Sequence, residues 1–262
     1  YAGNPFCEHL ESAAIANAPM QHMAWPQLQL QQQLGEGASG VIHQALLRTE
    51  AGEQAVAVKL FKGAVTSDGL PDCEMAACMH AGAHPHLVSA LARVSAHPDN
   101  QQALVMPLIA PEFDNLAGPP SLESCTRDVY AHGKRLGWPA TLRIARGMAS
   151  ATQHLHARGI LHGDLYAHNI MHTSEGDALL SDFGAAAFFD VRDTARAQAL
   201  EKLEVRAVGC LLEELAVQCD ATPPDAGPLQ ALADLAQRCM HDTPSQRPSL
   251  AQISAELEAL SD

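Results

Sequence analysis

Positive charge is scarce in this chain. Lysine and arginine number 16 against 30 aspartates and glutamates, a formal net charge of −14 over 262 residues. Nucleic acid and anionic membrane both reward a basic surface, so neither is expected as the main partner. Nucleotides stay open, because a few cations and backbone N–H groups suffice for them. Long apolar runs are also missing, and none approaches the ~20 residues of a membrane span. Cys7, Cys73, Cys78, Cys125, Cys210, Cys219 and Cys239 are odd in number, scattered, and form no Cys-x-x-Cys pair. Most read as small buried hydrophobes in a reducing, cytoplasmic compartment. The fourteen histidines show no ligand spacing beside them, which argues against a zinc site. His80, His84 and His86 read as loop residues ahead of a strand.

What is present is concentrated in residues 161–184, Leu-His-Gly-Asp-Leu-Tyr-Ala-His-Asn-Ile-Met-His-Thr-Ser-Glu-Gly-Asp-Ala-Leu-Leu-Ser-Asp-Phe-Gly. Asp164 and Asn169 fit a tight loop that opens into a strand at Ile170 and Met171. A second apolar strand, 178–180, leads straight into Asp182. A hairpin of the two would bring Asn169 and Asp182 to one end of the ribbon. An amide oxygen and a carboxylate there are hard ligands that suit Mg²⁺. Asp164 is placed to orient an attacking hydroxyl and take its proton. The bland alternative is that Asp164 and Asn169 are turn formers and Asp182-Phe183-Gly184 is a loop.

Upstream, Leu28, Leu30 and Leu34 suit a half-exposed strand that runs into Gly35-Glu36-Gly37-Ala38-Ser39-Gly40-Val41-Ile42. Gly-x-Gly-x-x-Gly also marks dinucleotide-binding folds, but there a helix follows the glycines. Here residues 41–47 and 54–61 read as two strands joined by a turn at 50–53. Alternation along the second strand puts Ala57 and Lys59 on one face. Lys59 is one of four lysines in the chain and sits inside an apolar run, so a merely solvated strand lysine is a poor account of it. Residues 71–82 have helical spacing, with Met75, Cys78 and Met79 on one side, and Glu74 on this helix is the candidate partner of Lys59. Two more strands are expected at 87–94 and 103–106. Residues 110–139 are loop-rich, with a short helix around 122–132. A long amphipathic helix follows over 140–158, with Leu142, Ala145, Ala149, Thr152 and Leu155 inward. Residues 1–26 read as a tail or linker, with a short helix within 8–26.

Residues 161–184 resemble the catalytic loop and Asp-Phe-Gly motif of eukaryotic-type protein kinases. The strand–glycine turn–strand, Val56-Ala57-Val58-Lys59 and His84-Pro-His-Leu-Val88 fit the same family. Residues 204–215 resemble the central helix of its lower lobe, with Glu204 for aspartate, and Arg247-Pro248-Ser249 resembles its closing segment. The resemblance covers about residues 28–260. It implies an α+β, two-lobed fold: a small β-rich N-lobe with one helix and the hinge over 27–109, and a larger, mainly helical C-lobe over 110–262. It implies ATP and Mg²⁺ as cofactors and transfer of the γ-phosphate to a serine or threonine hydroxyl of a protein. Asp164, Lys59 and Asn169 would be catalytic, and Asn169 and Asp182 would hold Mg²⁺. Leu34, Gly35, Glu36, Gly37, Ala38, Ser39, Gly40, Ile42, Ala57, Lys59 and Glu74 would form the nucleotide site from above. Met106 as gatekeeper, the Pro107 carbonyl, the Ile109 backbone, Met171 and Asp182 would complete it. Tyr1-Ala-Gly-Asn-Pro-Phe-Cys7 resembles the closing stretch of a leucine-rich repeat, which implies such a domain upstream.

The departures carry information as well. The Ala-Pro-Glu motif is absent, and only residues 185–203 separate Gly184 from the Glu204 run. Arg247, which in the family pairs with the glutamate of that motif, needs another partner. Gly163 replaces the arginine that commonly receives an activation-loop phosphate, so no such phosphate should be required. Tyr166 replaces a lysine near the γ-phosphate, a charge that Arg192 or Arg196 could supply. Two other classes stay open. His-Gly-Asp-Leu-x-x-x-Asn also occurs in aminoglycoside and choline kinases, and a non-catalytic nucleotide-binding scaffold would keep the same residues.

Overall fold

The computed structural model describes residues 21–37, 39–63, 70–125, 127–220 and 227–261. The fold is α+β, with a β-rich N-terminal region and a helical C-terminal region. The chain forms two compact units. The first holds the chain up to His84, then Val88–Ala110 and Asp182–Phe188. The second holds Pro85–Leu87, Pro111–Ser181 and the chain from Phe189 onward.

The first unit is built on β1 (His22–Ala24), β2 (Leu28–Glu36), β3 (Gly40–Thr49), β4 (Gly52–Phe61), β5 (Ala92–Ser95) and β6 (Ala103–Pro107), in the order β1-β5-β6-β4-β3-β2. β3 and β4 form a continuous hairpin from Gly40↔Phe61 to Thr49↔Gly52. Gly52 closes its turn at φ 125°, a conformation that glycine adopts without cost. Alternation sends Ala45, Leu47, Val56 and Val58 to one face, where they bury against Leu28, Val94, Ala103 and Val105. Each leucine or valine among them contributes about 1.5–3 kcal/mol when fully buried. Trp25 and Met23 pack on the same cluster.

Those last two residues correct the linker reading. His22–Ala24 pairs in parallel with β5, and a 3₁₀ turn follows at Trp25–Gln27. A three-residue strand is too short to show a period along the chain. The strand expected over 87–94 is shorter and later, at Ala92–Ser95. The residues before it spend their groups elsewhere: the Val88 carbonyl accepts from the Cys78 thiol, and Ser89 Oγ donates to the Gly82 carbonyl. Helix α1 (Pro71–Ala81) ends where expected, at Gly82 with φ 66°. It is buried on nearly every side rather than on one. His80 lies in its last turn, edge-on to Phe188, and so is helical rather than a loop residue.

The second unit holds α2 (Trp138–Ala157), α3 (Thr194–Gln218), α4 (Gly227–Cys239) and α5 (Leu250–Ala259). Leu142, Ala145, Ala149, Thr152 and Leu155 are all buried along α2, as its periodicity requires. Arg146 of α2 donates to the carbonyls of Leu257 and Leu260, tying α5 to it. Gly209 lets α3 approach α4: a Cβ there would lie 2.7 Å from Cys239 Cβ. No helix is present over the described part of 122–132. Ser121 Oγ accepts the Ser124 N–H, Cys125 takes φ 60°, and Gly118 and Val129 pair backbone to backbone, so local side-chain and bridging bonds displace the helix. α3 starts at Thr194, capped by Asp193, so 185–193 is all that separates Gly184 from helix. No helix among the described residues is long and apolar enough to cross a membrane.

Candidate active site

In the first unit, the glycine turn is closed by Gly37 N–H donating to the Gly40 carbonyl at 2.9 Å. Lys62 N–H donates to the Ser39 carbonyl at 3.0 Å, and the Lys62 ammonium meets Glu36 at 2.6 Å. Leu34 is 46% exposed before the turn, and Ser39 is buried after it. Ala38 lies outside the described residues. Ile42 pairs directly across the ladder with Lys59, and Ala57 pairs with Met106 on the other side. Pro107 ends β6 opposite Val56, and Ile109 follows half-buried.

Lys59 Nζ lies 2.5 Å from Glu74 Oε1, with both side chains under 10% exposed. Glu74 sits in the first turn of α1, where the helix dipole favours an acid. Removing either partner would strand a buried charge, so this pair holds the ammonium in one place. Cys78, one turn further along, has its thiol pushed up to about 12 by burial and then by the Glu74 charge, so it is no nucleophile. Asp182 also belongs to this unit. Its backbone takes φ 57°, a left-handed conformation that aspartate tolerates better than most residues, and its Oδ1 accepts from Gly184 N–H at 3.0 Å. Such outliers cluster where a side chain must be aimed. Phe183 is buried.

In the second unit, Asp164 and Asn169 meet directly. Asn169 Nδ2 donates to Asp164 Oδ2 at 2.8 Å and to the Asp164 carbonyl at 3.0 Å. That commits the amide nitrogen and leaves Oδ1 as the atom with the chemistry of a Mg²⁺ ligand. The hairpin expected after it is present, with Ile170 opposite Leu180 and Met171 opposite Leu179. Asn169's carbonyl closes it by accepting both the N–H and the hydroxyl of Ser181, the residue before Asp182. The His162 ring, with no exposure, bonds the Ser181 carbonyl through Nε2 and accepts Asp164 N–H through Nδ1. Gly163 takes φ 78°. Tyr166 caps the loop with its phenol raised by burial, then by the nearby Asp164 charge, so it is a neutral group and not a substitute cation.

Three features of this loop were not assigned from sequence. The Glu204 carboxylate accepts the N–H groups of His162 and Gly163 at 2.9 Å each, and the His156 ring at 2.8 Å. Burial works against its charge, but these donors and the two histidines outweigh burial and hold the carboxyl below its ordinary range. Asp128 accepts from His168, and Arg127 reaches Glu213 and Glu214. A buried acid amid the apolar positions of a helix was the available signal for Glu204. The other two left none, because both partners look like surface charges.

Among the described residues, no group of three or more His, Cys, Asp or Glu side chains could hold a metal ion by itself.

The sequence matches the family profile described as protein tyrosine and serine/threonine kinase over residues 28–211. It is 32% identical over 157 residues to serine/threonine-protein kinase PknK of Mycobacterium tuberculosis, which covers 59% of this chain and 13% of that protein. It is 25% identical over 277 residues to tyrosine-protein kinase receptor TYRO3 of Gallus gallus, covering 89% of this chain and 31% of that one. It is 29% identical over 159 residues to proline-rich receptor-like protein kinase PERK7 of Arabidopsis thaliana, covering 58% and 20%. The chain spans less than a third of the length of these relatives. Its match covers well over half of its own residues, and the chain belongs to the protein tyrosine and serine/threonine kinase family.

Proposed function

We propose that this chain is the catalytic domain of an ATP- and Mg²⁺-dependent kinase that phosphorylates serine or threonine hydroxyls of proteins. The observation that carries this reading is the buried Lys59–Glu74 pair. Burying two charges is costly, and a lysine fixed this way on a β-strand beside a glycine turn is suited to gripping phosphate. The backbone of Gly35, Gly37, Ser39 and Gly40 covers the phosphates, with Glu36 and Ala38 between them. Leu34, Ile42, Ala57, Met106, Pro107, Ile109 and Met171 receive the base. Asn169 Oδ1 and the Asp182 carboxylate would hold Mg²⁺, which would neutralise phosphate charge. Asp164 orients the acceptor hydroxyl and takes its proton as the new oxygen–phosphorus bond forms and ADP departs. Among the relatives, serine/threonine-protein kinase PknK supports a serine/threonine acceptor by its name. A reducing, cytoplasmic setting belongs to this reading, because the seven cysteines are scattered and form no Cys-x-x-Cys pair. The functional halves are taken as 27–109 and 110–262. Residues 1–7, read as the end of a leucine-rich repeat, lie outside the described residues.

The brevity of 185–193 favours a second reading, transfer to a small molecule, because little chain remains to shape a peptide platform. Purified protein with radiolabelled ATP decides between them, with Lys59→Met and Asp164→Ala as controls and protein, peptide and aminoglycoside acceptors offered. Label in protein that both substitutions abolish supports the proposal. Label in the aminoglycoside alone selects the second reading. Nucleotide binding without transfer selects a scaffold.

A further inference from the structure

Residues 127–130 lie outside any helix, yet three of their four side chains are tied down. Arg127 donates to Glu213 at 2.5 Å and to Glu214 at 3.0 Å on α3, and Tyr130 Oη donates to Glu214 at 3.1 Å. Val129 and Gly118 exchange backbone bonds in both directions at 3.0 and 2.8 Å. Asp128 has a side chain with no exposure at all, and it accepts from His168 twice: from the backbone N–H at 3.0 Å and at ring Nδ1 at 2.8 Å.

We propose that Asp128 is a positioning residue for the catalytic loop, acting through His168 on Asn169 and Asp164. A carboxylate so buried is tolerated when its oxygens find donors. Here both donors belong to one residue, and they fix different things. The backbone bond sets the direction of the chain at His168, and the ring bond sets the rotamer. The next residue is Asn169, whose carboxamide holds Asp164 Oδ2. The first half of the loop is pinned by Glu204 through the N–H groups of His162 and Gly163. Asp128 pins the second half. Gly163 has no side chain with which to anchor the loop itself, so the two carboxylates, 76 residues apart in sequence, share that task. The segment 127–130 thereby joins the loop to α3.

This inference rests on the kinase reading, and its test separates the two. His168→Leu keeps the backbone bond and deletes the ring donor. His168→Asn restores an N–H close to the position of Nδ1. The chain is assayed for transfer of label from ATP and for amide hydrogen exchange over 162–169. His168→Leu should lower kcat about tenfold with KM for ATP within about twofold, because misplacement affects the step and not binding. His168→Asn should stay within about threefold of the unsubstituted protein. Asp128→Ala should speed loop exchange more than His168→Leu, since it removes both bonds. A His168→Leu protein with unchanged kcat and unchanged exchange would overturn the inference. If the unsubstituted protein transfers no phosphate, the kinase reading fails. The exchange data then decide alone: faster exchange in His168→Leu but not in His168→Asn supports the anchor, and equal exchange in both refutes it.

Discussion

Lys202 and Arg247 hold each other through their backbones. Lys202 Nζ donates to the Arg247 carbonyl at 2.8 Å and to the Pro248 carbonyl at 3.0 Å, while Arg247 Nη1 donates to the Lys202 carbonyl at 2.7 Å. Arg247 Nε takes the His241 carbonyl at 2.8 Å. In the family this arginine pairs with a glutamate that the present chain lacks, so carbonyls fill the role. Charged donors to buried acceptors contribute more than neutral ones. Arg247→Ala should therefore lower stability by about 2–3 kcal/mol in urea unfolding. Arg247→Lys should recover little, because an ammonium does not reproduce the fork. An Arg247→Ala protein unfolding at the original midpoint would refute this.

The Lys59–Glu74 pair should show strong coupling. Lys59→Met or Glu74→Met alone leaves one buried charge and should cost about 3 kcal/mol. The double substitution should cost much less than the sum, since neither charge remains. Additive losses in denaturant unfolding would show that the two side chains do not depend on each other. Phosphotransfer should be lost in all three proteins.

The glycines of the turn should separate by kind. A Cβ on Gly40 would lie 2.6 Å from the Leu60 carbonyl oxygen, whereas at Gly35 and Gly37 nothing described lies within 4 Å. Gly40→Ala should lower the melting temperature by several degrees, equivalent to about 1–3 kcal/mol of overpacking. Gly35→Ala and Gly37→Ala should melt close to the original temperature while weakening nucleotide binding, measured by titration calorimetry. If both bind ATP as before, the turn does not cover phosphate.

Much of this was legible in the sequence, for a physical reason. The β3–β4 hairpin, α1 and α2 announce themselves because residues close in sequence must alternate or recur to bury one face. Lys59 and Glu74 were legible because each lay on such an element. The anchors of the catalytic loop were not. Asp128 finds His168 forty residues away, and Glu204 finds His162 forty-two away. Contacts of that span leave no local period. The helix expected over 122–132 failed on the same ground: its apolar and polar residues fit a helix locally, but Arg127, Asp128 and Tyr130 are committed to distant partners.

Acid should weaken the protein in two stages. Burial, and then the Lys134 charge, holds the His172 ring below its ordinary value of 6.5. A depressed folded value means that the contribution is full above 6.5 and is lost as pH falls through the folded value. Glu204, held below 4.5, follows the same sign and acts at lower pH. Unfolding midpoints recorded against pH should decline below 6.5 and steepen below 4.5. His172→Asn should remove the first decline, and Glu204→Gln should flatten the second while costing about 2 kcal/mol at neutral pH. A Glu204→Gln profile parallel to the original would exclude Glu204 as a source of acid sensitivity.

Helix α3 carries Lys202, Glu204, Glu213 and Glu214 along one rod, a span of about 18 Å at 1.5 Å per residue. Through them it grips the closing segment, the start of the catalytic loop and the clasp at 127–130. Elements tied to one helix by so many bonds open together rather than one by one. Heating should consequently leave no folded but silent species: the last molecules to lose turnover should also be the last to lose their helix signal.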